Sequence, residues 1–174
     1  ALPISCPKVI PALQEWKGGS GKLVLPAEGS IVVAPADEAA LKSVATVLAQ
    51  DLKDLLDWNY TIRTGKPGKN DIYLSLMKPD KQLGEEGYVL TAGRYAGIEA
   101  PARQGAFWGT RSLLQILYNE KGQLPKGVAR DWPQYPSRGF MLDVGRKFFT
   151  MDFLRQYVKI LSFYKLNEFQ IHLN

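Results

Sequence analysis

The sequence predicts an α+β fold with a mixed or antiparallel sheet and two helices on one face, followed by a short strand–helix–strand unit. Two observations predict this arrangement. Short β-type runs and helical periods occur in the order three strands, helix, four strands, helix. Residues 138–174 then contain one strand, one helix and one strand, joined by a crossover long enough for a parallel βαβ unit.

The first elements follow from local patterns. Residues 13–16 and 22–25 are short apolar runs, and the glycine-rich segment 18–21 between them predicts a hairpin turn. Residues 31–34 are β-branched or small and predict the third strand. Residues 37–56 carry one apolar stripe at helical spacing, with Asp37 as the predicted N-cap.

Four short strands are predicted next, because turn residues bound each of four β-type runs. These runs are residues 60–63, 71–76, 87–91 and 97–100.

Residues 104–118 predict a second helix that is apolar nearly all round and therefore largely buried. Gly105 and Gly109 lie on one face of it. Each glycine costs about 1 kcal/mol relative to alanine in a helix, so we expect another backbone to approach closely there. Residues 121–127 are predicted to be a loop.

The domain joint is predicted near residues 132–137, where Pro133 and Pro136 interrupt any continuous ladder of hydrogen bonds. This divides the chain into an α+β domain of residues 1–133 and a βαβ unit of residues 134–174.

Composition excludes several classes of protein. The 174 residues are 45% hydrophobic and 22% charged, as is usual for a globular chain. No apolar run approaches the ~20 residues that span a bilayer, so we expect no membrane partner. The net charge of +5 is spread over interspersed acids and bases, so we expect no nucleic-acid partner. Cys6 is the single cysteine, which excludes an internal disulfide, and we assign it no function.

No motif for a metal or an organic cofactor occurs. The sequence contains no Cys or His pair at zinc spacing, no dinucleotide fingerprint and no P-loop. We therefore expect no cofactor and no metal.

The segment Tyr135-Pro-Ser-Arg-Gly-Phe-Met-Leu-Asp-Val-Gly-Arg-Lys-Phe-Phe149 resembles the start of the catalytic (β/α)8 barrel of glycoside hydrolase family 20, which contains the β-N-acetylhexosaminidases. Residues 163–167 and 169–174 extend the resemblance. Residues 86–90 and 105–117 are similar to the non-catalytic domain that precedes that barrel. The resemblance implies that residues 134–174 are the first βαβ unit of an incomplete (β/α)8 barrel.

Functional side chains of such barrels lie at the C-terminal ends of strands, where Asp143, Arg146 and His172 are predicted. The resemblance implies that Arg146 binds vicinal hydroxyls of the sugar. Alternatively, Arg146 pairs with Asp143 and only fixes the loop. Asp143 is expected to orient an arginine, either Arg146 or Arg138. Arg138 lies at the start of its strand, away from the catalytic face, and is interpreted as structural. His172 is either a core histidine or active-site support.

The resemblance also has two departures. Lys147 stands where the family usually has histidine, which leaves the role of that position open. The catalytic Asp–Glu pair is expected beyond Asn174, so no catalytic residue is assigned in this chain. We therefore expect a fragment that is inactive alone.

The resemblance further implies the activity of the parent enzyme. It would remove terminal N-acetylglucosamine or N-acetylgalactosamine by substrate-assisted retaining hydrolysis, and it would be secreted or periplasmic.

An alternative function is a carbohydrate-binding or scaffolding module without catalysis, based on Trp16, Trp58 and Tyr60.

Residues 138–174 are expected to self-associate, or to be disordered, because apolar strand residues there would be left exposed. These residues are Phe140, Met141, Leu142, Phe169 and Ile171.

Overall fold

The computed structural model describes residues 5–173, which form two compact units that divide between Trp132 and Pro133. The first unit confirms the predicted α+β fold with a seven-stranded mixed sheet and two helices. Its elements are β1 (Glu15–Val24), β2 (Glu28–Val33), α1 (Glu38–Leu56), β3 (Asn59–Thr64), β4 (Ile72–Leu76), β5 (Tyr88–Ala92), β6 (Ala96–Ala100), α2 (Arg103–Asn119) and β7 (Gln123–Asp131). A single 3-10 turn, Pro35–Asp37, precedes α1.

The strand order is β1-β7-β5-β6-β4-β2-β3. Strands β3, β2, β4 and β6 run parallel to one another, whereas β5, β7 and β1 pair antiparallel. Helices α1 and α2 pack against each other and against the sheet. The predicted apolar stripe of α1 is buried except at its last member, Leu55, which is 38% exposed. The buried members are Leu41, Val44, Ala45, Leu48 and Leu52.

The predicted hairpin at residues 18–21 is wrong. Strand β1 runs through this segment and pairs with β7, and Gly19, Ser20 and Gly21 lie opposite the single residue Lys126. The extra residues form a bulge. Gly21 adopts a positive φ of 78° in this bulge, a conformation that glycine tolerates.

The predicted loop at residues 121–127 is also corrected, since strand β7 begins at Gln123. Pro125 is tolerated there because it pairs with Lys22 of β1 at the edge of the bulge, beyond the stretch of β7 that pairs with β5.

The two helix glycines have different neighbours. A Cβ on Gly105 would lie 2.0 Å from the carbonyl oxygen of Gly87, so a backbone does approach there as predicted. At Gly109 the nearest atom is the Cγ2 of Ile98, at 2.6 Å, so a side chain occupies the space instead.

Asp37 occupies the N-cap position of α1 but makes no side-chain cap hydrogen bond. Its carboxylate instead accepts a hydrogen bond of 2.8 Å from the backbone N–H of Leu76. The acidic side chain therefore ties the start of the helix to strand β4.

The second unit consists of β8 (Gly139–Asp143), α3 (Met151–Phe163) and β9 (Glu168–His172). Strands β8 and β9 are parallel, which confirms the predicted βαβ unit. Helix α3 begins after Thr150, whose hydroxyl accepts a hydrogen bond from the N–H of Phe153. The Tyr157 ring of α3 packs against Phe140 of β8 and Phe169 of β9.

Within residues 5–173, no helix combines the length and the apolar character needed to cross a membrane.

Candidate active site

The parallel register of β8 and β9 places Asp143 directly opposite His172 at the C-terminal ends of the two strands. The Nδ1 atom of His172 lies 3.4 Å from Oδ1 of Asp143. The backbone N–H groups of Val144 and Gly145 both donate to the carbonyl oxygen of His172, at 2.9 and 3.2 Å. The loop that leaves β8 is therefore attached to the end of β9.

The Asp143 carboxylate also closes a turn in its own loop. Its Oδ1 atom accepts hydrogen bonds from the N–H groups of Gly145 at 3.0 Å and Arg146 at 3.2 Å. Partial burial acts to raise the pKa of Asp143. The hydrogen bonds from His172 and from the backbone of Arg146 and Gly145 outweigh this effect and lower the pKa below its usual value. Asp143 is therefore an anion at neutral pH.

Arg146 is the arginine that Asp143 contacts. Its Nε atom lies 3.5 Å from Oδ2 of Asp143, while the side chain is 91% exposed. No other side-chain partner of Arg146 occurs within the described part of the chain. The two terminal nitrogens of the guanidinium are thus available to bind neighbouring oxygens.

Arg138 lies at the other end of the strand pair. Its Nε donates to the carbonyl oxygen of Lys165 and its Nη1 to that of Tyr135, both at 2.8 Å. These bonds join the segment before β8 to the turn before β9, which is a structural role.

The side chain of His172 is 47% exposed in the described part of the chain. Lys147 is also exposed and follows Arg146 in the loop. Among residues 5–173, no three His, Cys, Asp or Glu side chains converge to form a metal site. The site is therefore a cluster of one anion, one exposed guanidinium and one imidazole.

The aromatic side chains behind the alternative function pack within the first unit. Tyr60 is buried and donates a hydrogen bond of 2.8 Å to the carbonyl oxygen of Pro26, and its ring stacks on Trp58. Trp16 lies against Gly127, where a Cβ would come within 2.7 Å of its ring. These rings do not form a continuous exposed row.

Comparison with known families places both units in one group. The profile described as "Glycosyl hydrolase family 20, domain 2" matches residues 6–132. The profile described as "Glycosyl hydrolase family 20, catalytic domain" matches residues 135–174.

Similar proteins agree with this grouping. The chain is 35% identical over 144 residues to a beta-hexosaminidase of Porphyromonas gingivalis, an alignment that covers 76% of this chain and 18% of that protein. It is 31% identical over 164 residues to a lacto-N-biosidase of Bifidobacterium bifidum, covering 92% of this chain and 14% of that protein. The chain thus spans less than one fifth of these two relatives.

The solved structure of the beta-N-acetylhexosaminidase from Streptomyces coelicolor superposes with a TM-score of 0.83 at 28% identity. The match covers 99% of this chain and 36% of that one.

Proposed function

The chain belongs to glycosyl hydrolase family 20, and on this premise we propose that it forms part of an exo-acting β-N-acetylhexosaminidase. The enzyme would remove terminal N-acetylglucosamine or N-acetylgalactosamine from a glycan. The observation that carries the proposal is the cluster of Asp143, Arg146 and His172 at the C-terminal ends of β8 and β9. Enzymes with (β/α)8 barrels build their active sites at this end of the strands.

Each residue of the cluster has a proposed role. Arg146 binds two vicinal hydroxyls of the terminal sugar through its terminal nitrogens, because their planar geometry matches neighbouring oxygens. Asp143 orients Arg146 through Nε and through the backbone N–H of the same residue. His172 holds the Asp143 carboxylate from the neighbouring strand.

The proposed reaction is substrate-assisted and retains the anomeric configuration, unlike the scheme with two enzymic carboxylates. The carbonyl oxygen of the substrate acetamido group attacks the anomeric carbon while a glutamic acid protonates the departing glycosidic oxygen. Water, deprotonated by the same glutamate, then attacks the anomeric carbon and restores the acetamide. An aspartate orients the acetamido group, and no metal or organic cofactor takes part.

We propose that residues 1–174 supply sugar binding but not this Asp–Glu pair. In the second unit, Asp143 is bound to its own loop, and Asp152 pairs with Arg155 on α3 at 3.0 Å. Glu168 begins β9 and so lies at the opposite end of the strand from His172. A (β/α)8 barrel needs eight strands, and residues 135–174 contribute two of them.

Hydrolysis of an aryl N-acetyl-β-glucosaminide and the matching galactosaminide tests this proposal. The complete enzyme should release the chromophore from at least one of them, and a purified protein of residues 1–174 should release none. Release by residues 1–174, or none by the complete enzyme, would contradict the proposal.

We further propose a secreted or periplasmic location, since exposed glycans are found outside the cytoplasm. Cell fractionation tests this location.

The alternative, a carbohydrate-binding module without catalysis, makes a different prediction. Residues 1–174 would then bind N-acetylglucosamine or chitooligosaccharides saturably at millimolar concentration or below. Titration calorimetry of the same protein distinguishes this outcome from a fragment that needs the rest of its barrel.

A further inference from the structure

A basic groove of about 550 Å³ opens on the first unit. The end of β1, the start of β7, the β5–β6 turn and the loop before β4 surround it. Its lining contains four cationic side chains and no acidic one. The cationic residues are Lys22, Lys69, Arg94 and Lys126.

Backbone hydrogen bonds fix the walls of the groove. The N–H of Asn70 donates to the carbonyl oxygen of Arg94, and the N–H of Ala96 donates to that of Asp71, both at 2.9 Å. These bonds attach the loop before β4 to the β5–β6 turn. Lys126 lies opposite the bulge of β1, between Pro125 and Gly127, which both pair with β1. The attachment points of the cations are therefore set before any ligand arrives.

Nearby carboxylates leave most of this charge uncompensated. Asp71 accepts hydrogen bonds of 2.6 Å from Arg63 and from the N–H of Gly68. Lys22 has Glu120 at 3.8 Å. Across the described residues, Lys69, Arg94 and Lys126 form no ion pair. Such a concentration of like charge attracts an anionic ligand.

We propose that this groove binds an acidic glycan, a sugar chain that carries sulfate or carboxylate groups. The planar guanidinium of Arg94 and the flexible ammonium groups of Lys69 and Lys126 suit such anions. Val24, which is 59% exposed, offers an apolar surface to the C–H face of a sugar ring. The lining contains no aromatic ring, on which the bases of a single-stranded nucleic acid would stack. The inference concerns binding alone and does not depend on the proposed hydrolysis.

Binding of a fluorescently labelled heparin hexasaccharide to residues 1–174 tests the proposal. We expect saturable binding in 50 mM NaCl. Raising the salt to 200 mM should weaken it by about tenfold or more, because a polyanion releases counterions when it binds several cations. Absence of saturable binding in 50 mM NaCl would overturn the proposal.

The triple variant Lys69→Gln, Arg94→Gln and Lys126→Gln should weaken hexasaccharide binding by at least about tenfold, as expected when three charge contacts are lost. Thermal unfolding checks that the variant remains folded. Nuclear magnetic resonance adds a readout on the unaltered protein, since titration with hexasaccharide should first shift the amide signals of residues 69–70 and 93–94. Shifts confined to other residues would overturn the proposal.

A matched control removes the same number of charges elsewhere. Lys8, Lys42 and Lys81 are exposed and lie outside the groove, and replacing all three by glutamine should leave binding within about twofold. An equal loss in both triple variants would show diffuse charge attraction and contradict a defined site.

Two ligand controls complete the experiment. Neutral chitohexaose should bind far more weakly than the hexasaccharide, and equal binding would overturn recognition by charge. A twelve-nucleotide oligothymidylate that bound as tightly as the hexasaccharide would identify the groove as a nucleic-acid site and overturn the glycan proposal.

Discussion

Asp143 and His172 are direct partners in the parallel pairing of β8 and β9, and their side chains meet at 3.4 Å. The same carboxylate lies 3.5 Å from Nε of Arg146 in the loop after β8. One anion therefore couples a loop residue to the neighbouring strand. A shift of one residue in the register would separate the pair.

The first prediction concerns the pKa of Asp143. Nuclear magnetic resonance titration of residues 1–174 should give a value below the usual ~3.9, and His172→Ala should raise it, because a hydrogen bond that lowers it is lost. Because the pKa of Asp143 is lower in the folded state, the hydrogen bonds to its carboxylate stabilise the fold above about pH 4. That stabilisation is lost as the pH falls through the pKa that Asp143 has in the folded state.

Asp57 provides the internal control for this titration. A hydrogen bond and the charge of Lys53 lower the pKa of Asp57, which is distant in sequence from His172. The pKa of Asp57 should be the same with and without His172. An unchanged pKa of Asp143 in His172→Ala would contradict the assigned contact.

The second prediction concerns Arg146 in the proposed hexosaminidase that contains this chain. Arg146→Ala should lower kcat/KM by about 10- to 100-fold, since hydrogen bonds from a charged group contribute about 1.5–3 kcal/mol. Arg146→Lys should recover only part of the loss, because lysine lacks the planar pair of donors. Arg155→Ala, on the exposed surface of α3, should change kcat/KM less than twofold. Full activity of Arg146→Ala would leave Arg146 with a loop-fixing role alone.

The third prediction concerns the close approach of α2 to Gly87. Gly105→Ala should lower the free energy of unfolding by about 2 kcal/mol or more, since overpacking against a backbone outweighs the gain of about 1 kcal/mol in helix propensity. Gly93→Ala is the matched control, because no heavy atom within 4 Å obstructs its Cβ. Urea denaturation of residues 1–174 measures both. Equal free energies of unfolding for the two variants would show that α2 moves away from Gly87 without cost.

The fourth prediction concerns the ion pair between α1 and α2. Nη1 of Arg111 lies 2.5 Å from Oδ2 of Asp51, and the Arg111 side chain is 3% exposed. Asp51→Ala should cost about 3–5 kcal/mol, since it leaves a buried cation uncompensated. Adding Arg111→Met should restore part of that loss, because the second change removes the stranded charge. A double variant less stable than Asp51→Ala would contradict this account.

The fifth prediction concerns association of residues 1–174 through the second unit, with a second copy as the partner. Phe140, Met141 and Ile171 are 39%, 56% and 41% exposed, on strands that form a sheet of only two. Apolar side chains beside unpaired strand edges favour pairing between copies. Sedimentation should show a dimer or larger species that Met141→Lys reduces. A monomer with ordered amide signals for residues 138–173 would contradict the prediction.

The fold could be predicted where local patterns determine the structure. The periodicity of α1, α2 and α3 and the turns around β3 to β6 all lie within short segments. Strand β7 cannot be predicted from its own segment, because Pro125 and the flanking glycines are typical of a loop and because its pairing with β1 and β5 joins distant segments. The pairing of β1 with β7 is also nonlocal, and for this reason residues 18–21 form a bulge instead of the expected hairpin.

The two candidate sites differ in the same way. Asp143 and His172 could be placed together because a parallel βαβ unit brings the ends of its strands to one edge. The groove cations Lys22, Lys69, Arg94 and Lys126 come from four separate segments. Their charges look dispersed along the sequence, and only the sheet order brings them into one groove.

The pairing of β1 with β7 also bears on synthesis at the ribosome. Glu15 pairs with Arg130, so β1 leaves the ribosome on the order of 5–20 s before its partner, at about 5–20 residues per second. During that interval its backbone is open to other nascent chains. Glu15, Lys17 and Lys22 along the strand would discourage such encounters. Charges that form ion pairs or line the groove in the folded sheet thus also protect the growing chain from its neighbours.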